Sequence, residues 1–362
     1  MSIDLKMMDH NDKIKHMILT YNISPCTNKC RHCWAIGDEK RNFMNMDDID
    51  FLIDETLTVG DLVRSFYPYF FYEPSIHPQF FTILDKFYKI GIIPADHWYM
   101  PTNGAGFSKF TDLEWEQFKS FHNLSIGLTF HGLKEYHDSF VKSEGAFDKI
   151  ITTLVRAREF GIKHHAQYTF NKNNIKYYYD LKKYIFDLFP DISFGSFLMT
   201  PSFDTDDFGL ITDNELRQLS EEDFAKKKKL WTTEKENVDT ILNNEGYRDL
   251  SARDRCGGSN IFQIYDNLDV YFGSACDSGG VISNVRPEYK KHFFLGNLKN
   301  KSLMNILEDF TYNSPEVVKM LENVSYYDLA KKYGNKTENL FAQRILIEDR
   351  YAAQFLMDNL KI

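Results

Sequence analysis

In the stretch SPCTNKCRHCW, three cysteines (Cys26, Cys30 and Cys33) fall within eight positions, and the whole chain has five. Clustered thiols hold a metal ion, pair as disulfides or bind the irons of an iron–sulfur cluster, and each use makes its own demand. A structural zinc site needs four ligands in a closed tetrahedron. His32 lies inside the motif but is awkwardly directed, and Cys256 and Cys276 stand far downstream. A disulfide framework suits neither the odd count nor a chain with no secretory features. An iron–sulfur cluster is ordinarily held by four thiolates. Three would leave one iron open to a substrate or cofactor, as catalytic metal sites keep one position open.

The start of the chain, MSIDLKMMDHNDKIKH, is too polar for a signal peptide, and no apolar run approaches the ~20 residues that cross a bilayer. A cytoplasmic protein with reduced thiols is therefore expected, with no membrane partner. Lys and Arg total 43 against 52 Asp and Glu, a formal charge of −9, which argues against a nucleic-acid footprint. The basic run Lys226 to Lys229 lies among acids and reads as a solvated helix face. The composition is that of a globular protein, and 362 residues suffice for a large core and a smaller second unit.

The elements that would position the cysteines alternate along the chain. MILTYNI (17–23) reads as a strand leading straight into the cysteine loop. VRSFYPYFFY (63–72), DHWYM (96–100), LSIGLTF (124–130), KHHAQYTF (163–170) and ISFGSFLM (192–199) are also strand-like. Helical stretches lie between them. These are DIDFLIDETL, PQFFTILDKFYKIG closed by Gly91, TDLEWEQFKSF opened by a Thr111–Glu114 capping box, a run from Phe147 to near Gly161, and NIKYYYDLKKYIFDLF.

Six strand–helix units predict an α/β fold with a parallel sheet, and six units in place of eight predict a partial (βα)6 TIM-type barrel. The cysteine loop would then lie at the carboxyl end of the first strand, where such sheets bind ligands. After Pro201 the chain turns acidic and helical, with a second capping box at Thr212 and Glu215. A hairpin with Cys256 and Cys276 at its ends and a helical tail follow. The expected division is a barrel over 1–200, a helical bridging segment over 201–252 and a hairpin-plus-helix extension over 253–362.

C-x3-C-x2-C directly after the first strand of such a series resembles the radical S-adenosylmethionine superfamily, with His32 in the place of the aromatic residue before the last cysteine. The resemblance implies a [4Fe-4S] cluster on Cys26, Cys30 and Cys33 whose open iron is chelated by S-adenosylmethionine. It also implies reductive cleavage of that cofactor to methionine and a 5′-deoxyadenosyl radical that abstracts hydrogen from a substrate. The electron would come from an external one-electron reductant of flavodoxin or ferredoxin type.

FYEPSIHPQF (71–80) is similar to the family's G-G-E-P segment, so Glu73 would bind the methionine ammonium. Phe71 and Tyr72 stand where the family has two glycines that admit close approach of the cofactor. PTNGAG (101–106) matches the T-N-G after the third strand, which makes Thr102 and Asn103 candidate pocket residues. GLTFHGLKEYHD (127–138) resembles S-x-D-G-x-x-E-x-H-D. Thr129 keeps the hydroxyl near the cofactor carboxylate, His131 replaces the Asp, and Lys142 would pair with that carboxylate.

Cys256, the hairpin, Cys276 and then FFLGNLKNKSLMNILED (293–309) resemble the SPASM or twitch extension of these enzymes, which holds auxiliary iron–sulfur clusters. No cysteine follows Cys276, and two thiolates alone do not fill a [4Fe-4S] cluster. Three outcomes stay open: the fold without an auxiliary cluster, an unusual cluster completed by other ligands, or a thiol that donates hydrogen or acts as a redox pair. A buried free cysteine is the plain alternative. The extension implies post-translational modification of a ribosomally synthesised peptide, by crosslinking, epimerisation or a related reaction. A small-molecule oxidoreductase or epimerase acting on a sugar or aminocyclitol is the second expectation, and a non-catalytic iron–sulfur or zinc protein the third. The 25 residues ahead of Cys26 are too few for a winged leader-binding domain.

Overall fold

In a computed structural model of the chain, the structure describes residues 17–33, 41–59, 65–70, 72–91, 98–121, 124–198, 211–230, 232–252, 260–274, 281–334, 340–342 and 344–362. Cys256 and Cys276 lie outside the described residues. All six expected strands form: β1 (Met17–Tyr21), β2 (Ser65–Phe70), β3 (Trp98–Thr102), β4 (Leu124–Phe130), β5 (Lys163–Phe170) and β6 (Ser193–Leu198). Between them run α1 (Met46–Thr58), α2 (Phe80–Lys89), α3 (Asp112–Ser120), α4 (Lys134–Val141), α5 (Ala146–Glu159) and α6 (Tyr178–Leu188). Among the described residues, no helix is long and apolar enough to cross a membrane.

The chain compacts into two units, one of residues 22–43 and 69–225, the other of residues 1–21, 44–68 and 226–362. In the first, β3, β4, β5 and β6 pair in parallel in that order, with Thr102 opposite Leu128 and Thr129 opposite Gln167. Burial along β4 is almost continuous, as for a strand covered on both faces. Gly127 serves a close approach there. Its Cβ would coincide with the Tyr99 side chain, whose hydroxyl accepts from Gln167 Nε2. The capping box of α3 is complete, Glu114 N donating to Thr111 Oγ1 at 3.3 Å and Thr111 N to Glu114 Oε2 at 2.7 Å. Gly91 follows α2 at φ 74°, the left-handed conformation that ends helices. The box at Thr212 heads only the short helix Asp213–Leu216, with Thr212 N donating to Glu215 at 2.8 Å.

In the second unit, β1 lies in a five-stranded sheet of order Phe294–Asn297, Asp269–Ser274, Asn260–Ile264, β1, β2. The expected hairpin is present as Asn260–Ile264 and Asp269–Ser274, paired antiparallel. Its first strand runs parallel to β1, Met17 opposite Asn260 and Tyr21 opposite Ile264. An open barrel would leave β1 with an unpaired edge, and the hairpin satisfies that edge. β1 and α1 thus compact with residues 226–362, although they flank the cysteine loop in the chain. The segment FLGNLKNKS is a structural clasp: Asn297 Nδ2 donates to Asn267 O and Asp269 Oδ1, both at 2.9 Å, which fixes the hairpin turn. The Ser302 hydroxyl accepts from Asn305 N at 3.3 Å and starts the helix Leu303–Tyr312.

Candidate active site

The cysteine loop, the turn after β2 and the carboxyl ends of β3 and β4 meet within the unit of residues 22–43 and 69–225. The loop is fastened to the last turn of α4. Lys29 N donates to Val141 O at 2.9 Å and Arg31 N to Phe140 O at 3.2 Å, using carbonyls that a helix end leaves free. Cys33 N donates to Cys30 O at 3.0 Å, and Cys30 packs against Phe140, Val141 and Ala146.

Cys26, Cys30 and Cys33 are thiols of intermediate burial that form no disulfide. Burial pushes the Cys26 thiol up to about 12, and it pushes Cys30 up as well, with Cys33 adding to both. Such thiols stay protonated until a metal takes them as thiolates. Among the described residues, no three His, Cys, Asp or Glu side chains converge on a single ion. Cluster-bound thiolates each take a different iron, so three neighbouring, partly sheltered thiols fit an iron–sulfur cluster as their group.

Beside them sits Glu73, at 0% exposure. Its carboxylate accepts from Thr102 Oγ1 at 2.8 and 2.9 Å, from Asn103 N at 2.6 Å and from the Ser75 hydroxyl. No Lys or Arg pairs with it among the described residues. Burial raises its pKa, against the pull of these hydrogen bonds. Asn103 ties the carboxylate to the cysteines: Nδ2 donates to Cys26 Sγ at 3.3 Å and to Thr27 Oγ1 at 3.2 Å, while Oδ1 accepts from Ala105 N at 2.9 Å. Glu73 N adds a backbone bond to Pro25 O at 3.4 Å. Cys26, Glu73, Thr102 and Asn103 are therefore one hydrogen-bonded network.

Tyr72, one residue earlier, holds φ 74°. It keeps the left-handed backbone that glycine adopts freely, a conformation costing other residues ~1–2 kcal/mol. The Arg41 guanidinium lies over its ring, 5.7 Å from the centroid. His32 stacks on Phe140 and meets His131, and burial lowers its pKa to about 4. Thr129 is half-buried on β4. Lys142 is exposed at the C-cap of α4 with φ 52° and does not join the Glu73 network. Three contributors were not singled out from sequence. Ser75 lies two residues past Glu73, His137 lies inside the quoted EYHD segment, and Asn174 reaches the site only through the fold.

The chain matches no known family model. It is 26% identical over 170 residues to the Fe-coproporphyrin III synthase of Methanosarcina barkeri, a stretch covering 45% of this chain and 39% of that protein. The chain therefore spans about two fifths of that relative's length. Among solved structures, anSMEcpe with bound AdoMet aligns with a TM-score of 0.55 at 14% identity, over 95% of this chain and 93% of that one. SuiB of Streptococcus suis bound to S-adenosylmethionine aligns with a TM-score of 0.53 at 14% identity, over 88% and 75%. Structures of anSMEcpe with a Cp18Cys peptide and of SuiB with the precursor peptide SuiA share the same fold with this chain, at TM-scores of 0.54 and 0.52.

Proposed function

We propose that the chain is a member of the radical S-adenosylmethionine superfamily, an enzyme that uses this cofactor, with a [4Fe-4S] cluster on Cys26, Cys30 and Cys33, to abstract a hydrogen atom from its substrate. The observation that carries the reading is the Glu73 network. A buried carboxylate, filled with neutral donors and with no counter-charge among the described residues, is linked through Asn103 to Cys26 Sγ at 3.3 Å. That is a seat for a cationic group next to a metal-binding thiol. Cys26, Cys30 and Cys33 would hold the cluster, which would supply the electron for reductive cleavage of S-adenosylmethionine.

The chain's own residues bind and orient. Glu73 holds the cofactor ammonium, and Thr102 and Asn103 fix the carboxylate's direction. Thr129 and Lys142 face the cofactor carboxylate, and His32 and Tyr72 line the cofactor. Residues 1–200 act as the barrel, 201–252 as a bridge and 253–362 as a SPASM or twitch-like extension. Cys256 and Cys276 there serve as hydrogen donor or auxiliary site. The compartment is the cytoplasm, and the reductant is of flavodoxin or ferredoxin type.

The substrate we favour is a ribosomally made peptide. Both fold relatives anSMEcpe and SuiB have been seen with peptides, which supports this reading. A small molecule is the second reading, favoured by the Methanosarcina relative, whose name denotes a porphyrin product.

Anaerobic reconstitution tests the proposal. The wild type should hold about four irons and, once reduced, form 5′-deoxyadenosine, while a Cys26/Cys30/Cys33 triple Ala variant should do neither. Iron retained by the triple variant would reveal an auxiliary cluster. A wild type that takes up iron and never cleaves S-adenosylmethionine would sink the enzymatic reading.

A further inference from the structure

Two loops of the unit that carries the cysteines are basic and contain no acid. Residues 27–33, TNKCRHC, hold Lys29 and Arg31, and residues 171–177, NKNNIKY, hold Lys172 and Lys176. Lys29, Lys172 and Lys176 are exposed, and none of the three joins an ion pair among the described residues. The chain as a whole carries a formal charge of −9, so these loops run against its average.

α4 joins the two loops. At its end, the Val141 and Phe140 carbonyls accept from Lys29 N and Arg31 N at 2.9 and 3.2 Å. Its half-buried Tyr136 turns to the second loop: the hydroxyl donates to Asn171 Oδ1 at 3.3 Å, and the ring lies 5.1 Å from that of Tyr177. Lys176 Nζ stands over the Tyr177 ring, 4.9 Å from its centroid. Burial raises the pKa of the Tyr136 phenol, and its bond to Asn171 and the nearby Arg31 charge oppose that. α4 with its C-cap is neutral, Lys134 and Lys142 against Glu135 and Asp138, and Asp138 is engaged by Gly145 N and Phe147 N at 2.8 Å each. The positive excess therefore comes from the two loops.

Solvated lysines need no partner of their own. What singles these out is their link to a thiol. Tyr136 stacks on Phe140 at 6.0 Å, and Cys30 and Tyr136 both pack on the buried cluster of Phe140, Val141 and Ala146. The basic patch is thus joined to Cys30 by side-chain packing alone.

We propose that Lys29, Lys172 and Lys176, around Tyr136 and Tyr177, form the docking face for an acidic one-electron carrier protein that reduces the cluster on Cys26, Cys30 and Cys33. The inference rests on the radical S-adenosylmethionine reading. Each encounter moves one electron: the carrier is oxidised by one, the cluster is reduced by one, and no bond is made or broken. Electron-transfer encounters are weak and bury less than about 1,200 Å² in total, so two short loops and the tyrosines between them suffice. Opposite charge acts chiefly on their association rate.

The test follows 5′-deoxyadenosine formation by the anaerobically reconstituted full chain, with iron counted on every sample. Electrons come from limiting reduced flavodoxin or ferredoxin, or from photoreduced deazaflavin, a small neutral donor that needs no docking face. With the carrier that serves wild type better, the initial rate should fall about tenfold in Lys172→Glu/Lys176→Glu and less in Lys172→Ala/Lys176→Ala. Wild type should slow by a similar factor between about 0.05 and about 0.3 M salt. With deazaflavin, every variant should stay within about twofold of wild type. Lys119→Glu/Lys163→Glu makes the same charge change at the last turn of α3 and the first residue of β5, the other end of the sheet, and should stay within about twofold with every donor.

A carrier-driven rate unchanged in the Glu variant gives the face to a partner of other chemistry, such as an acidic peptide, and overturns the proposal. An equal loss with deazaflavin overturns it as well, since the lysines then support the site itself. So does an equal fall in Lys119→Glu/Lys163→Glu, which reduces the effect to net charge. If the Glu variant loses iron, the Ala variant decides by the same criterion, and loss of iron in both overturns the proposal. A wild type served by deazaflavin and by neither carrier does the same. A wild type that forms no 5′-deoxyadenosine even with deazaflavin fails before any carrier is compared, and that failure belongs to the reading of the site beneath.

Discussion

Glu73 and the His32–His131–His137 stack are both buried polar groups of the same unit, and both adjoin the cysteine loop, yet their neighbourhoods are opposite. Glu73 receives donors from Thr102, Asn103 and Ser75. The stack leaves three ring nitrogens without a partner among the described residues. The carboxylate is thus fixed in place by neutral dipoles with no positive charge paired to it among the described residues, while the imidazoles are held by ring packing. A cationic cofactor answers the demand of the carboxylate, whereas the imidazole nitrogens are enclosed by their own packing. The comparison teaches that a site is read from what its buried groups still need as much as from what they already hold.

The largest expected effect breaks the Glu73 side. Glu73→Ala removes the only buried charge of that network and strands three donors, and affinity for S-adenosylmethionine should fall at least about 100-fold, ~2.7 kcal/mol. Equilibrium dialysis on the reconstituted protein reads it, and an affinity within threefold of wild type would show that the ammonium sits elsewhere. Glu73→Gln sharpens the comparison, because it keeps size and most hydrogen bonds and deletes only the charge. Its binding should drop about tenfold.

pH should move binding and stability in opposite directions. The folded pKa of Glu73 lies above its ordinary 4.5 because of burial. Its protonated form therefore favours the folded state, a contribution present at acid pH and lost as pH rises through the folded pKa. The ionised form is the one that binds an ammonium, so cofactor affinity should rise over that same window. In Glu73→Gln both slopes should flatten. Urea unfolding and dialysis across the window check this, and a wild-type stability that climbs there, with Glu73→Gln in parallel, would contradict it.

A smaller effect is expected one bond further out. Thr102→Val keeps the shape of the side chain and removes the hydroxyl that donates to Glu73 at 2.8 and 2.9 Å. The buried carboxylate keeps its other donors, so stability should fall by ~1–2 kcal/mol and cofactor affinity by less than in Glu73→Gln. A Thr102→Val protein as weak in binding as Glu73→Ala would mean that Thr102 itself touches the cofactor.

The strands were legible because apolar and β-branched runs are bounded by glycines and capped helices, a local pattern. α4 was not, since it starts at Leu133 without a capping side chain and ends on Lys142 in the left-handed region where glycine is usual. The pairing of β1 with Asn260–Ile264 joins residues far apart in sequence, and no local pattern encodes that choice of neighbour. In the site, Cys26, Glu73, Thr102 and Asn103 could be named because each sits at a fixed place in a motif. Ser75, His137 and Asn174 could not, because their roles arise only when the turn after β2, α4 and the end of β5 come together.

The smallest expected effect concerns Tyr72, where the backbone kept what the side chain gave up. At φ 74° its left-handed conformation costs ~1–2 kcal/mol relative to glycine. Tyr72→Gly relieves that cost, but it frees the unfolded chain by ~0.4–1 kcal/mol and loses the Arg41 contact over the ring, worth ~0.5–1 kcal/mol. These contributions nearly cancel, so urea unfolding should place Tyr72→Gly within about 1 kcal/mol of wild type. Tyr72→Ala is the discriminating partner: it keeps the strain and loses the ring, so it should be less stable than Tyr72→Gly. If the two variants unfold together, the turn carries no strain in the protein, and Glu73 is set by its donors alone.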